Sequence, residues 1–437
     1  MSTLPTDRGE NVFTDFKKPY TKHQAVAEAN RCLYCYDAPC ITACPTSINI
    51  PKFIRRIADE DIKGSAKTIF DSNIMGMSCA RVCPVEVLCV GSCVYNNAEQ
   101  PPIQIGKLQR FATDQAFAHG WKFYEAGADT DKKVALIGAG PASLAAAHRL
   151  RRYGHAVTIF EASSHVGGLN TTGVAPYKMK ADRALTEVEW LLSIGGVEIR
   201  NGVRIPTDIS WEQLRADFDA VFIGFGLGVD KYMSVEHANA KGIYGAVDYI
   251  AQMKTTKVDV SATKHAVVIG GGNTAIDAVR ELLGLGIAHV TMVYRGDEDK
   301  MSGYMHEWVE AKKENAAASW RSQPVGFTAE NGQVTGVICR KMDSAKQEIA
   351  GSEFTLAADL VLLAIGQGKQ GDMTNGLPGI QVQSGVVVVD EHRATGCAGV
   401  YAGGDCINGG KEVVNAVADG DIAAQSIHKY LTGGTHG

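Results

Sequence analysis

Two short runs near the N-terminus hold eight of the eleven cysteines. Residues 32–45 read CLYCYDAPCITACP and residues 79–93 read CARVCPVEVLCVGSC, with spacings C-x2-C-x4-C-x3-C-P and C-x3-C-P-x4-C-x3-C. Closely spaced thiolates on tight turns, with a proline directly after a cysteine in each run, are typical of iron–sulfur clusters. The eight residues are Cys32, Cys35, Cys40, Cys44, Cys79, Cys83, Cys89 and Cys93.

Structural zinc and disulfide bonds are the alternatives for these thiols. Zinc ribbons use similar C-x2-C pairs, but they separate two well-spaced pairs, whereas here four cysteines crowd into each run. The chain begins MSTLPTDRGE without a basic and apolar leader, so we expect a reducing, cytoplasmic location in which disulfides are rare. The spacing therefore favours iron–sulfur clusters over zinc, and zinc over disulfides.

A dinucleotide-binding pattern follows the cysteine runs. Residues 133–137 predict a buried strand, residues 144–150 a helix, and residues 157–161 a second strand that ends in Glu161. Glycines between the first strand and the helix let the backbone approach a pyrophosphate at the helix N-terminus, and the acid accepts from ribose hydroxyls. The loop residues are Gly138, Gly140, Pro141, Ala142 and Ser143, with Ser143 in place of the usual third glycine.

Two further glycine turns belong with this pattern. Gly168 and Leu169, in the sequence GGL, lie shortly after Glu161 and suit a backbone that passes along another part of a long cofactor. Near the C-terminus, residues 400–405 read VYAGGD, which predicts a strand and a turn that places Asp405 near a polyol hydroxyl.

A second copy of the dinucleotide pattern begins at residue 265. Residues 266–269 predict a strand, and the loop that follows contains Gly270, Gly272, Asn273 and Thr274. The next strand ends in Arg295 instead of an acid, which points to contact with phosphate or adenine, or to an ordinary surface arginine. Two patterns in one chain predict two nucleotide sites, or one site and a relic.

Length and charge limit the possible functions. A chain of 437 residues holds two to four domains, and a net charge of −5 excludes an extended basic surface for nucleic acid. No charge-free apolar run approaches 18 residues, so we expect no membrane span. Residues 1–125 show helical patterns and few strand signals, including a capping box at Thr21 and Gln24.

Taken together, these motifs resemble the N-terminal half of dihydropyrimidine dehydrogenases, which occurs in bacteria as a separate flavin subunit. The chain is similar, more distantly, to the small subunit of glutamate synthase. The resemblance covers roughly residues 20–435 and rests on the two cysteine runs, IQIGKLQRFATDQAF, GAGPASLAAA, GGGNTAIDA and YAGGD. It implies two [4Fe-4S] clusters, one FAD and one nicotinamide nucleotide, NADH or NADPH.

The resemblance also implies an α/β fold, in which an N-terminal α-helical iron–sulfur domain precedes two interleaved Rossmann-like nucleotide-binding domains. The expected segments are residues 1–125 for the two clusters, 126–245 and 369–437 for FAD, and 246–368 for NAD(P)H.

Residue roles carry over from the resemblance, and no catalytic side chain is assigned. One cluster takes Cys32, Cys35, Cys40 and Cys93, and the other takes Cys44, Cys83, Cys89 and Gln109. Spacing alone would have selected Cys79 in place of Gln109. The FAD set is Gly138, Gly140, Pro141, Ala142, Ser143, Glu161, Gly168, Leu169, Lys178 and Asp405, and the NAD(P)H set is Gly270, Gly272, Asn273, Thr274 and Arg295.

The residues after the second strand favour NADH over NADPH. NADPH-using members usually show two adjacent basic residues there, whereas this chain has Arg295, a glycine and Asp297, with Lys300 as a compensating cation.

The expected function is that of an electron-input subunit, an NAD(P)H-dependent oxidoreductase. Its partner would be an FMN- and iron–sulfur-containing subunit that reduces uracil or thymine, in a hetero-oligomer expected to be a heterotetramer. No FMN barrel is recognisable in the sequence. The alternatives are the small subunit of glutamate synthase, another NAD(P)H–flavin electron donor, and a non-catalytic zinc scaffold or redox sensor. Cys339, Cys397 and Cys406 show no spacing pattern and are expected to be ordinary thiols.

Overall fold

The structure, a computed structural model, describes residues 4–368, 374 and 376–434. Within them the part before residue 133 contains helices and no strand, as expected for an α-helical cluster domain. The helices are α1 (Lys22–Ala29), α2 (Pro39–Thr42), α3 (Ile50–Ala58), α4 (Ile62–Ser72), α5 (Gly76–Val82), α6 (Ile105–Ala118), α7 (Pro141–Arg152), α8 (Leu169–Thr172), α9 (Ala181–Leu192), α10 (Trp211–Asp217), α11 (Ala246–Thr255), α12 (Asn273–Gly284) and α13 (Met305–Lys313), followed by a short helix (Asp405–Asn408) and the C-terminal helix (Val413–Leu431).

Local signals set the start of the first helices. The capping box predicted at α1 is present, since Gln24 N donates to Thr21 Oγ1 at 3.3 Å and Thr21 N donates to Gln24 Oε1 at 2.9 Å. Proline lies in the first turn of α3, where its missing N–H is tolerated. The apolar face of α3 packs with α1, α4 and α6 around a core that includes the side chains of Cys79 and Cys83.

The strands form two parallel sheets of five strands, one antiparallel sheet of three and a two-stranded ribbon among the described residues. They are β1 (Lys133–Ile137), β2 (Ala156–Glu161), β3 (Val197–Asn201), β4 (Ala220–Ile223), β5 (Ile243–Gly245), β6 (His265–Ile269), β7 (His289–Val293), β8 (Ala317–Ser319), β9 (Ser322–Glu330), β10 (Gln333–Lys341), β11 (Phe354–Ala357), β12 (Leu360–Leu363), β13 (Val382–Gln383), β14 (Val386–Val387) and β15 (Val400–Ala402).

The first parallel sheet has the order β15-β4-β1-β2-β3. Its strand β15 comes from the C-terminal part of the chain and pairs with β4. The C-terminal helix packs along α7 on one face of this sheet. The first nucleotide-binding unit is therefore completed by residues that follow the second, which confirms the interleaved arrangement.

The second parallel sheet has the order β5-β12-β6-β7-β8. Its strand β5, at residues 243–245, pairs with β12, although the sequence-based segments grouped these three residues with the first unit. Residues 369–373, where the last segment was expected to begin, lie outside the described residues.

The antiparallel sheet β9-β10-β11 was not predicted from the sequence. Strands β9 and β10 meet at Asn331 and Gly332, which have φ angles of 51° and 79°. A two-residue Asn-Gly connection with positive φ at both positions is a strong hairpin signal. The short strand β14 contains only Val386 and Val387. None of the described helices is long and apolar enough to cross a membrane.

Candidate functional site

Four cysteines from both runs converge on one cavity in the helical domain. It is lined by Cys32, Cys35, Cys40 and Cys93 together with apolar side chains that include Ile50 and Ile105. The lining contains no carboxylate or imidazole. A donor set of thiols in an apolar wall suits an iron–sulfur cluster, and these are the four residues that the resemblance assigned to one cluster.

A second cavity in the same domain takes the remaining predicted ligands. Its lining includes Cys44, Cys83, Cys89 and Gln109, and also Cys79. The structure therefore brings both candidates for the eighth ligand, Cys79 and Gln109, to the same cavity. Gln109 Nε2 donates to the carbonyl of Gly76 at 2.8 Å, which leaves the amide oxygen as the atom able to bind iron.

Neither a single-ion site nor a disulfide forms among the thiols of the described residues. Within the described residues no three His, Cys, Asp or Glu side chains are arranged to hold one metal ion, and all eleven cysteines are free of disulfides. Zinc needs four ligands at about 2.3 Å from one centre, so its sulfurs lie close together. The cysteines that surround a multi-iron cluster stand further apart.

Burial keeps several of these thiols protonated until metal binds. It raises the pKa of Cys40 to about 12, and it also raises the pKa of Cys89. The pKa of Cys83 is raised by a hydrogen bond with Cys79 and by burial. If these thiols hold a cluster as thiolates, its assembly would release protons, and the positive charge of iron would supply the stabilisation that the apolar wall lacks.

The first glycine loop lies between β1 and α7, as predicted. Gly138 has φ of 90°, and a Cβ on it would lie 2.7 Å from the carbonyl oxygen of Gly224, so a side chain would not fit. Gly140 directly precedes α7, which begins at Pro141. At the end of β2 the carboxylate of Glu161 accepts from Ala139 N at 2.7 Å. Glu161 therefore holds the loop, and a carboxylate has further lone pairs for a ribose hydroxyl.

Three more predicted residues gather at the start of α7. A Cβ on Gly168 would lie 2.9 Å from Gly140 Cα, so the second glycine turn packs directly on the first, and Leu169 begins α8 beside it. Asp405 follows Gly404, where a Cβ would lie 3.2 Å from Ala142 Cβ. Burial raises the pKa of the Asp405 carboxyl, which accepts from the N–H of residue 411.

Polar atoms left without partners mark this loop as a binding site. Ser143 Oγ, Asn170 Oδ1 and Thr171 Oγ1 are buried and have no hydrogen-bond partner within the described part of the chain. Buried polar groups normally find a partner, and the polar groups of a bound dinucleotide would supply one. Sequence analysis missed Asn170 and Thr171, although both directly follow the GGL turn.

Lys178 lies between the two nucleotide-binding units. Its Nζ is 2.9 Å from Asp277 Oδ1 and 2.9 Å from Glu307 Oε1, on α12 and α13. Burial alone would lower the pKa of Lys178, but the two carboxylates raise it. The neighbouring Tyr177 hydroxyl also donates to Asp277. The predicted cofactor contact is thus engaged by protein carboxylates that join the two units.

The second glycine loop repeats the geometry of the first between β6 and α12. Gly270 has φ of 148°, and a Cβ on it would lie 2.4 Å from the carbonyl oxygen of Ala364. Gly272 precedes α12, and the Asn273 side-chain oxygen accepts from Tyr304 N at 2.8 Å. Thr274 follows in the first turn of α12 and is half-buried. This loop therefore has the shape of a second nucleotide site.

The charges beyond β7 are arranged by residues that are distant in sequence. Arg295 is exposed just after the strand ends. The carboxylate of Asp297 binds the guanidinium of Arg321, which comes from the β8–β9 turn, and this hydrogen bond lowers the pKa of Asp297. Lys300 lies 3.3 Å from the carboxylate of Asp299. Sequence analysis missed Arg321 because its partner is set by the tertiary structure.

The three remaining cysteines behave as ordinary thiols. Cys339 and Cys406 are buried, and Cys397 is half-buried. Burial raises the pKa of Cys406 to about 12, and its thiol donates to the carbonyl of Gly403 at 3.3 Å. A buried protonated thiol is a poor nucleophile.

Comparisons with known proteins agree with this geometry. Residues 8–121 match the family described as dihydropyrimidine dehydrogenase domain II, 4Fe-4S cluster, and residues 132–420 match the pyridine nucleotide-disulphide oxidoreductase family. The chain is 34% identical over 425 residues to NAD-dependent dihydropyrimidine dehydrogenase subunit PreT of Escherichia coli (strain K12), over 97% of this chain and 98% of the relative.

A second group of relatives is nearly as similar. The chain is 32% identical over 445 residues to the glutamate synthase (NADPH) small chain of the same organism, over 96% of this chain and 94% of the relative. The chain belongs to this family of flavin and iron–sulfur oxidoreductase subunits. The family confirms the expected cofactors, namely [4Fe-4S] clusters, FAD and a nicotinamide nucleotide.

Solved structures show the same fold for the family's nucleotide-binding part. Mycobacterium tuberculosis FprA in complex with NADPH aligns with a TM-score of 0.56 and 18% identity, over 69% of this chain and 85% of that chain. Thioredoxin reductase of T. acidophilum aligns with a TM-score of 0.54 and 23% identity, over 68% of this chain and 99% of that chain. At these identities the likeness shows the fold alone.

Proposed function

We propose that this chain is the electron-input subunit of a dihydropyrimidine dehydrogenase. It oxidises NAD(P)H at FAD and delivers electrons through two [4Fe-4S] clusters to a partner subunit that carries FMN and reduces uracil or thymine. When bound, the flavin supplies the conversion of a two-electron hydride into single electrons, and the clusters supply one-electron transfer. The protein positions these cofactors, sets the electrostatic field around them and excludes water from them.

The position of Gln109 is the observation that carries this proposal. Gln109 lines the second cavity, and the bond from its Nε2 to Gly76 fixes the orientation of the amide. The resemblance to dihydropyrimidine dehydrogenases implies that a glutamine at this position is a cluster ligand. A neutral oxygen ligand in place of a thiolate removes one negative charge from the cluster environment, which favours a higher reduction potential.

The C-terminal helix connects the flavin loop to the second cavity. Val414, the second residue of this helix, lines the cavity. Three residues earlier, the N–H of Lys411 donates to Asp405 at 3.1 Å. Glu412 accepts from the Tyr304 hydroxyl at 2.9 Å, and the Tyr304 N–H donates to the Asn273 side chain in the second glycine loop. These contacts support a route from the nicotinamide loop past the flavin loop to the second cavity.

The first cavity then lies at the outer end of the route. Leu33 and Tyr36, next to its cysteines, are 61% and 98% exposed. Large exposed apolar side chains grouped at one place mark interaction surfaces. We infer that Leu33 and Tyr36 form the docking surface for the FMN-containing partner.

The charges beyond β7 support NADH as the electron donor. Arg321 is bound to Asp297, and Lys300 lies beside Asp299. Both of these cations are therefore already paired with a carboxylate, which weakens a site for a 2′-phosphate.

Isolation of the native complex tests the proposal. The chain is tagged in its own cell and purified anaerobically, its companion is identified by mass spectrometry, and the complex is assayed for uracil-dependent NADH oxidation. A companion with an FMN barrel and uracil-dependent turnover are expected. A glutaminase-type companion, or no response to uracil, would contradict the proposal.

A double variant tests the docking surface. Changing Leu33 and Tyr36 to serine is expected to remove the companion while NADH-driven reduction of an artificial electron acceptor persists, because both residues lie outside the nucleotide loops. Val229→Ser serves as the control, since Val229 is 76% exposed but distant in sequence from the cysteine runs. Retention of the companion by the double variant would place docking elsewhere.

The small subunit of a glutamate synthase is the second candidate. The 32% identity to the Escherichia coli small chain, over almost the full length of both proteins, supports it. A large amidotransferase companion and glutamine-dependent oxidation of the nucleotide would establish this alternative.

A further inference from the structure

A segment before α1 is anchored from two sides. The guanidinium of the buried Arg110, on α6, binds both the carboxylate of Asp15 and the carbonyl of Lys17. The backbone N–H of Phe16 donates to the carbonyl of Tyr177 at 2.9 Å, and the two rings meet edge to face with centroids 6.0 Å apart. The backbone at Lys17 is therefore fixed between the cluster domain and the first nucleotide-binding unit.

This anchoring directs the Lys17 side chain to the second cavity. Lys17 Nζ donates to the carbonyl oxygen of Cys83 at 2.9 Å. Cys83 ends α5 and lines the second cavity, where the resemblance assigns it as a ligand. Lys17 itself is half-buried, so its charge is less screened than that of a surface lysine.

The other charged groups near Lys17 have polar partners of their own, and carboxylates outnumber cations among them. Lys178 lies between two carboxylates, one of which is Glu307. Glu86 lies 3.5 Å from the imidazole of His306. Glu412, which faces Cys83 from the C-terminal helix, accepts the Tyr304 hydroxyl. Because its Nζ lies 2.9 Å from the Cys83 carbonyl oxygen, the ammonium of Lys17 places a positive charge at the Cys83 end of the cavity.

We propose that Lys17 raises the reduction potential of the [4Fe-4S] cluster held at the second cavity. One-electron reduction, with the electron taken from NAD(P)H, adds one negative charge to the cluster. A cation held against the backbone of a ligand residue stabilises that added charge. The inference rests on the proposed role of the second cavity and deepens it, because Lys17 and Gln109 would then act in the same direction on the cluster next to the flavin loop.

A purely structural role for Lys17 is the competing explanation. Lysine side chains near a helix C-terminus hydrogen-bond to its last carbonyls and so stabilise the end of the helix. Such a role would change stability or iron content when the side chain is replaced. It would leave the potential of a correctly assembled cluster unchanged, and the potential is therefore the deciding measurement.

Redox titration of the purified full chain, followed by electron paramagnetic resonance, measures the two cluster potentials separately. Lys17→Met keeps the aliphatic stem and removes the charge, and it is expected to lower the potential of one cluster only. The other cluster, at Cys32, Cys35, Cys40 and Cys93, is the internal reference. Lys17→Arg retains a cation and is expected to restore the wild-type value. Lys18→Met is the matched control, because Lys18 is the neighbouring exposed lysine.

The outcomes separate this inference from the proposed function. Unchanged potentials in Lys17→Met with full iron content would overturn the role of Lys17, as would an equal shift of both clusters or the same shift in Lys18→Met. Loss of one cluster in Lys17→Met but not in Lys17→Arg would also overturn it, in favour of the structural role. A wild-type chain with only one cluster signal would overturn the assignment of the second cavity. A companion other than an FMN subunit would leave the Lys17 result standing.

Discussion

Glu187 joins the flavin unit to the helix that carries Cys79 and Cys83. Its side chain, on α9, is fully buried and accepts hydrogen bonds from Met77 N at 2.8 Å and Ser78 N at 3.0 Å. The Ser78 hydroxyl donates to the same carboxylate. Met77 and Ser78 lie in the first turn of α5, where backbone N–H groups have no partner within the helix. A carboxylate from another unit therefore caps α5.

The change Glu187→Ala should loosen α5 by a measurable amount. It leaves two buried N–H groups without an acceptor, and each such group costs about 1–3 kcal/mol. The free energy holding α5 in place should therefore fall by about 2–6 kcal/mol. Since 1.4 kcal/mol is about a factor of ten in an equilibrium constant, the opening of α5 should increase at least tenfold.

Hydrogen exchange of the α5 amides measures this opening directly, and the melting temperature of the cluster absorbance measures its consequence. Glu189→Ala is the matched control, because Glu189 is an exposed glutamate on the same helix. We expect faster exchange and a lower melting temperature in Glu187→Ala only. If both variants exchange and melt like the wild type, the carboxylate does not hold α5 and the reasoning is refuted.

Three further predictions concern the second cavity, the charges beyond β7 and a buried histidine. Cys79→Ala should keep the full iron content per chain and Cys83→Ala should lose the iron of one cluster; iron loss in both would make Cys79 a ligand. Asp297→Asn should weaken the hold on Arg321, free it for a 2′-phosphate and raise the NADPH/NADH ratio of kcat/KM by a few-fold, because an exposed ion pair is held only weakly; an unchanged ratio would remove Arg321 from the nucleotide site. Burial lowers the pKa of His155 to about 4. Below about pH 6.5 the unfolded chain therefore binds a proton at this histidine that the folded chain does not bind. The free energy of unfolding has its full value above that pH and falls by up to about 3 kcal/mol towards pH 4. The decrease in melting temperature between pH 7 and pH 5 should be smaller in His155→Asn than in the wild type. Equal decreases would show that His155 does not cause this pH dependence.

The helical cluster domain and the two glycine loops were readable from the sequence because their signals are local. Each of these signals spans only a few residues, as in the cysteine spacing, the glycines before α7, the glycines before α12 and the capping box at α1. Local geometry constrains such segments whatever the rest of the chain does. The β9–β10 hairpin has an equally local signal in Asn331 and Gly332, although the sequence analysis did not predict it.

Resemblance added a second level that spacing alone did not reach. The grouping of Cys93 with the first cysteine run, and the candidacy of Gln109, came from the family pattern. The structure brings each of these residues to the expected cavity, but it brings Cys79 to the second cavity as well. The choice between Cys79 and Gln109 therefore depends on the chemistry of the assembled cluster and stays a prediction.

Only the tertiary structure decided the contacts between distant segments. Glu187 meets α5, Arg321 neutralises Asp297, and Lys17 reaches the carbonyl of Cys83. In each case the partners lie in different elements, and nothing in either local sequence specifies the other. Such pairs form because helices and sheets pack along their apolar faces and carry the polar side chains at their edges into contact. The sequence determined which cysteines and glycine loops the chain carries, and packing determined which charged side chains surround them.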